Sequence, residues 1–311
     1  METVAIVLEA PEQLALRRLP LSAAGPSDVV VEVEYSAVST GTERLLWSGR
    51  MPPFPGMGYP LVPGYETVGR VTAAGEEAGL TVGDRVFVPG ASCFGDVRGL
   101  FGGAASRLVV PAQRARRIDA ALEERSVLMA LAATAHHAVR ASAELPELIV
   151  GHGVLGRLIA RIVVAEGGAP TVWEIDERRA MGAEGYAVTH PDGDERRDYG
   201  TILDASGDAG LIDGLILRLG RGGQITLAGF PDERVSFAFP PAFMKEARLV
   251  VAAEWAATDL DAVLAMVDDG RLSLDALITH RCAYEEAPQA YRTAFTEPSC
   301  LKMLLDWRSC R

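Results

Sequence analysis

Cysteine is scarce in this 311-residue chain: Cys93, Cys282, Cys300 and Cys310 are the only four, and no two stand as C-x-x-C. Such sparse, irregular usage excludes a disulfide scaffold and a four-cysteine metal lobe, and it suits a reducing cytoplasm. Lysine is scarcer still, with Lys245 and Lys302 alone, so arginine carries nearly all the positive charge, which reads as genome composition. Basic residues number 30 against 42 acidic ones, a formal net charge of −12. Arg114, Arg116 and Arg117 form only a short basic cluster. A field of that sign repels polyphosphates, so nucleic acid is excluded as a partner. No run reaches the roughly 18 consecutive apolar residues of a membrane helix. Met1-Glu2-Thr3 lacks the basic start of a secretory signal, and a cytoplasmic location is expected. What is present is ordinary globular material, 49% hydrophobic and 23% charged, enough for two domains with sizeable cores.

Residues 1–120 read as β-rich. Asp28–Tyr35 alternates cleanly after a Gly25-Pro26 turn, and Thr67–Ala73, Asp84–Val88 and Ser106–Val110 continue the pattern. Short strands with glycine-rich turns suggest a small barrel-like domain. Met51–Pro63 is different, because its prolines and glycines deny it a regular element and leave a loop rich in apolar surface. From residue 121 to 272 the texture alternates. Leu122–Ala143 is predicted helical, Leu148–Val150 is a wholly apolar strand, and helical spacing follows from Leu155 to Gly167. Thr171–Trp173, Thr201–Leu203 and Gln224–Ala228 are further strands, so the fold class is α/β with a doubly wound parallel sheet. Residues 259–270 and 284–295 read as helices and Leu301–Trp307 as a closing strand.

The stretch Gly151-His152-Gly153-Val154-Leu155-Gly156 is G-x-G-x-x-G, placed between an apolar strand and an amphipathic helix. In that context the first glycine makes the turn, the second lets backbone approach a pyrophosphate, and the third packs helix on strand. The helix start offers unpaired N–H groups to the phosphates. Glu174, ending the next strand, suits the ribose hydroxyls and opposes a 2′-phosphate, which favours NAD over NADP; Arg178 and Arg179 pull the other way. Asp204 and Ser206, and Gly229, follow later strands and should line the same crevice. His152 reads as serving loop geometry.

A β domain followed by a nucleotide domain resembles the medium-chain dehydrogenase/reductase superfamily. The likeness rests on the glycine fingerprint, Val62-Pro-Gly-Tyr-Glu66, Gly83-Asp-Arg-Val86 and Ile278-Thr-His-Arg281. It implies a GroES-like β-barrel catalytic domain over 1–120, completed by 273–311, and a Rossmann NAD-binding domain over 121–272. It also implies that Thr134 contacts the nicotinamide. In zinc-dependent members three ligands would fall at Thr40, Tyr65 and about Ala130, with the accompanying acid at Glu66. A threonine, a neutral phenol and an alanine do not make a zinc site, so none is expected. Without a metal a side chain must take the hydroxyl proton. Candidates are Tyr65 and Glu66, with His136, His137, Thr40, Thr42 and Glu43 behind them. Tyr65 equally suits packing into the space a metal would fill. Adjacent histidines on a helix diverge by about 100°, so at most one of His136 and His137 should face a site.

Within the superfamily, Tyr35–Leu46, Met51–Glu66, Val88–Phe94 and Val97–Ser106 resemble the branch that acts on bacteriochlorophyllides. That resemblance implies NAD-dependent oxidation of a 1-hydroxyethyl substituent to acetyl. A large flat tetrapyrrole needs an apolar cleft, and Trp47, Met51, Phe54, Met57, Tyr59, Phe94 and Phe101 are candidates to line it. Such a loop, like Phe237–Met244, equally suits a contact between two copies in a homodimer. Two other readings stay open: a zinc-free quinone or enone reductase using NADPH, and a non-catalytic dinucleotide-binding protein.

Overall fold

A computed structural model describes residues 1–53, 56–231 and 233–310. The chain divides into two compact units, Met1–Ala130 with Leu277–Arg311, and Leu131–Ala276.

The first unit is built on the long strand Asp28–Val38. Its valines are buried, and it pairs antiparallel with Thr67–Ala74, Arg107–Pro111 and Met303–Asp306. The last of these brings the carboxy-terminal segment into the unit, with Met303 opposite Val38. His280–Ala283 pairs alongside it in parallel. A second sheet joins Gln13–Pro20, Glu2–Ala10, Leu61–Val62 and Arg98–Gly99. The proline-rich loop therefore ends in a two-residue strand, opposite Leu8 and Arg98. Apolar side chains from the first sheet and from Ala5–Val7 meet in the core, with Phe94 and Trp307 buried among them.

Ala120–Leu128, by its texture part of the second domain, lies in the first unit. It is a 3₁₀ segment broken at Glu123, whose backbone leaves helical geometry at φ 45°. The Glu123 carbonyl accepts from buried Arg85 at 2.8 Å, a bond that ties the segment to the barrel. The α-helix proper runs from Met129 to Arg140.

The second unit holds six parallel strands. Across the sheet they run Ala187–Thr189, Thr171–Trp173, Leu148–Val150, Tyr199–Asp204, Leu219–Leu227 and Arg248–Val251. Numbered within the unit, that order is 3-2-1-4-5-6, the doubly wound arrangement whose ligands bind at the carboxyl ends of the central strands. Leu148–Val150 sits at the centre and is wholly buried, as its unbroken apolar run requires.

Candidate active site

Tyr65 follows Gly64, whose φ of +95° and close approach to the Ala104 backbone nitrogen turn the chain after Leu61–Val62. The phenol is half-buried and donates to Ser39 Oγ at 2.6 Å. Its ring meets Phe101 edge-on, with centroids 5.2 Å apart. Burial, reinforced by the Glu66 charge, raises the phenol far above its ordinary range, so it stays protonated. Thr40 and Thr42 are also half-exposed, next to buried Ser39 and Glu43.

Behind this front lie two buried carboxyl groups in different surroundings. Glu66 is 0% exposed and Lys302 1%; the ammonium donates to both carboxylate oxygens, at 2.8 and 2.7 Å, and to the Val38 carbonyl at 3.4 Å. Burial raises the Glu66 pKa while Lys302 opposes the rise. Glu43 is 0% exposed and has only neutral donors, the Ser39 N–H at 3.0 Å and the Tyr291 hydroxyl at 2.8 Å. Burial pushes its pKa up to about 7 against those two hydrogen bonds.

The positions of the superfamily's zinc ligands do not fit a metal ion. Ala130 is fully buried and its methyl group offers no donor. The Tyr65 oxygen is held on Ser39, and both Glu66 oxygens are held by an ammonium. Among the described residues, no group of three or more His, Cys, Asp or Glu side chains is placed to ligate one.

Trp47, Met51, Met57, Tyr59 and Phe101 pack, partly buried, on a cluster of Leu8, Leu46, Leu61 and Leu100. Trp47 also touches the Phe295 ring at 5.5 Å, and the Tyr59 hydroxyl donates to the Leu46 carbonyl. Phe94 does not belong with them. It is 2% exposed inside the barrel core, because Cys93 and Phe94 turn inward where the chain crosses beneath Val109. Phe54 lies outside the described residues.

In the second unit the glycine loop is tight on one side and open on the other. A Cβ on Gly156 would stand 1.9 Å from the Gly151 carbonyl oxygen, so helix and strand touch only because that residue is glycine. A Cβ on Gly153 would meet nothing within 4 Å, which leaves its face open to a ligand. Val154–Ala165 starts there without any side-chain cap, so the N–H groups of Val154 and Leu155 have no side chain to receive them. Glu174 lies beside the loop: Oε2 accepts from the His152 N–H at 3.0 Å, and Oε1 from Ile175 and Asp176 at 2.8 and 2.9 Å. A carboxylate accepts about four hydrogen bonds, so one position on Oε2 remains. Arg178 is gripped by Asp176 through Nε at 2.9 Å and Nη2 at 2.7 Å. Arg179 contributes its carbonyl, which pairs with His152 Nδ1 and accepts from Arg157. His152 is fully buried, with Nε2 on the Tyr186 hydroxyl at 2.8 Å. Asp204 turns its carboxylate into its own loop, accepting from Ser206 N and Oγ, while its carbonyl accepts from Gly229 N–H. Thr134 is half-buried on the helix that begins at Met129.

The two histidines do not diverge as the helix geometry alone implies. His136 Nδ1 lies 2.7 Å from one Asp259 oxygen and His137 Nδ1 2.9 Å from the other. Asp259 sits in the first turn of Ala257–Asp268 and also accepts from the Ala256 N–H. Two imidazoles close on a single carboxylate and join the two helices.

A family model for the alcohol dehydrogenase GroES-like domain matches residues 25–120. The 2-desacetyl-2-hydroxyethyl bacteriochlorophyllide A dehydrogenase of Cereibacter sphaeroides is 56% identical over 99% of this chain and 99% of its own length. The enzyme of that name from Rhodobacter capsulatus is 54% identical over 100% of both. The chain belongs to the bacteriochlorophyllide dehydrogenase family. An Escherichia coli alcohol dehydrogenase solved with NADH shares the fold, with a TM-score of 0.82 at 21% identity over 98% of this chain and 99% of that one.

For this family member, sequence reasoning passed over Lys302, Tyr291, Ser39, Arg157 and Asp259. One signal was available for Lys302: it is one of two lysines among 30 basic residues, kept where arginine is otherwise used. Tyr291 lies 248 positions from Glu43, and no local pattern joins them.

Proposed function

We propose that the protein oxidises the 1-hydroxyethyl group of a bacteriochlorophyllide to acetyl, with NAD as hydride acceptor and no metal, as a late step of bacteriochlorophyll a biosynthesis in the cytoplasm. The observation that carries this reading is identity of 54–56% over the whole chain to two dehydrogenases named for that substrate. The residues agree with it. Bound NAD would supply the hydride acceptor; Gly151, Gly153, Val154, Leu155 and Gly156 would hold its pyrophosphate, and Thr134 its nicotinamide. Ser206 and Gly229 would border the same loop. Glu174 would accept from the ribose, and its charge, with that of Asp176 cancelling Arg178, opposes a 2′-phosphate.

Metal-free oxidation needs an electronically assisted substrate and a path for the hydroxyl proton. A carbinol beside a conjugated macrocycle meets the first need. For the second, Tyr65 is the group we assign to the hydroxyl, with Thr40 and Thr42 as polar neighbours; Glu66 and His136 are already committed to Lys302 and Asp259. Trp47, Tyr59 and Phe101 would bear on the ring system. The outward-facing Phe239 and Phe243 rings, near the sheet-edge strand Arg248–Val251, support a homodimer.

The test is turnover of a hydroxyethyl bacteriochlorophyllide with NAD after exhaustive treatment with a chelator. Full activity in metal-depleted protein is expected. Loss on chelation with recovery on added zinc would contradict the metal-free site.

A further inference from the structure

We propose that Glu43 is the final acceptor of the substrate's hydroxyl proton, reached from Tyr65 through the Ser39 hydroxyl. The inference rests on the proposed alcohol oxidation and assigns its unplaced proton.

Tyr65 donates to Ser39 Oγ, so the hydrogen of the Ser39 hydroxyl must point elsewhere. Ser39 is 4% exposed, which leaves little water to receive it. The carboxylate already held against the same residue is Glu43, whose Oε1 accepts the Ser39 N–H and whose own N–H donates back to the Ser39 carbonyl at 3.2 Å. The resting structure joins Glu43 to Ser39 through backbone N–H groups only, so the path requires the Ser39 side chain, once it has received the phenol's proton, to rotate toward the Glu43 carboxylate.

The neighbouring acid cannot do this equally well. A proton on Glu66 would leave the Lys302 ammonium buried and unmatched, a costly state. A proton on Glu43 has the opposite effect, because it removes a buried charge that no cation contacts. The titratable groups facing Glu43 are Tyr291 from the Ala287–Thr296 helix, Tyr65 and Glu66 from the loop after Leu61–Val62, and Lys302 beside the closing strand. Of these only Lys302 is cationic, and its hydrogen bonds go to Glu66 and Val38.

The step balances. The carbinol C–H leaves as hydride to the oxidised nicotinamide dinucleotide. The hydroxyl proton passes to Tyr65 as the phenol's proton passes to Ser39 and that of Ser39 to Glu43. The carbon–oxygen bond becomes a carbonyl, and Glu43 carries one proton until solvent removes it.

Because the acceptor must be ionised, wild-type turnover should fall as pH drops through about 7. Glu43→Gln should lower turnover by about 10²- to 10⁴-fold and abolish that acidic limb, while Glu43→Asp keeps the limb. Tyr291→Phe removes a hydrogen bond to the carboxylate and should move the limb up by about one pH unit, which a purely structural role would not do. Difference infrared spectra of the full chain should show one buried carboxyl losing its proton near the same pH, absent from Glu43→Gln. Glu43→Gln turnover within about threefold of wild type, or an unmoved limb in Tyr291→Phe, would overturn the inference. No pigment turnover by the wild-type protein would instead overturn the proposed function.

Discussion

Glu43 and Glu66 are both sealed from solvent, and their partners decide what each can do. A carboxylate paired to an ammonium has a partner for its charge; one facing only neutral donors has none and takes a proton more readily. That contrast has a consequence for stability. Glu43 is raised from 4.5 to about 7 in the folded chain, so the folded state binds the proton more tightly than the unfolded one. Its contribution is present at low pH and is lost as pH rises through about 7, an amount on the order of 3 kcal/mol for a fully buried group. Glu43→Gln lacks this loss, so in urea titrations its stability relative to wild type should rise from pH 5 to pH 8. A constant difference across that range would contradict the assignment. Tyr65 supplies the companion prediction. Tyr65→Phe keeps the ring against Phe101 and removes the hydroxyl, so turnover should fall by about 10²- to 10⁴-fold with little change in stability. Unchanged turnover would reduce Tyr65 to a packing role.

At the scale of the element, the proposed preference for NAD would be set by the loop after Thr171–Trp173. Asp176 holds Arg178 as a fork and also caps the short helix Glu177–Ala180. Asp176→Asn keeps an N-cap acceptor but frees the guanidinium, so the NADP dissociation constant should tighten while that for NAD stays put. The pair lies at the surface, where ion pairs are weak, so the preference should narrow by no more than about fivefold. Calorimetry with each dinucleotide measures it, and an unaltered NADP constant would refute the role. The same loop shows what is legible in the chain and what is not. Leu148–Val150 and the glycines announce themselves locally, because apolar runs and tight turns are properties of adjacent residues. Arg157 is different: it looks like one more polar helix residue, yet it is buried and donates to the carbonyls of His152, Arg179, Met181 and Gly182. Phe94 fails for the converse reason. An aromatic residue in a glycine-rich stretch gives no sign of which side of the barrel wall it will take. Lys302 and Tyr291 reach their carboxylates only once the closing strand pairs with Asp28–Val38, a contact between opposite ends of the chain.

For the molecule as a whole, the −12 net charge disfavours a polyanion, and the apolar loop surface suits the extended ring system of the proposed substrate. Among the described residues no helix is long and apolar enough to cross a membrane. A small alcohol would leave the loop side chains wet, giving up roughly 25 cal/mol for each Å² not buried, and would lack the conjugation that assists hydride loss. The most direct measurement is the absorption spectrum of a hydroxyethyl bacteriochlorophyllide during incubation with the protein and NAD, run beside 2-propanol. The account predicts a red-shifted product as the acetyl carbonyl joins the macrocycle, with NADH formed in equal amount and almost none from 2-propanol. Efficient oxidation of 2-propanol with no change in the pigment spectrum would contradict it.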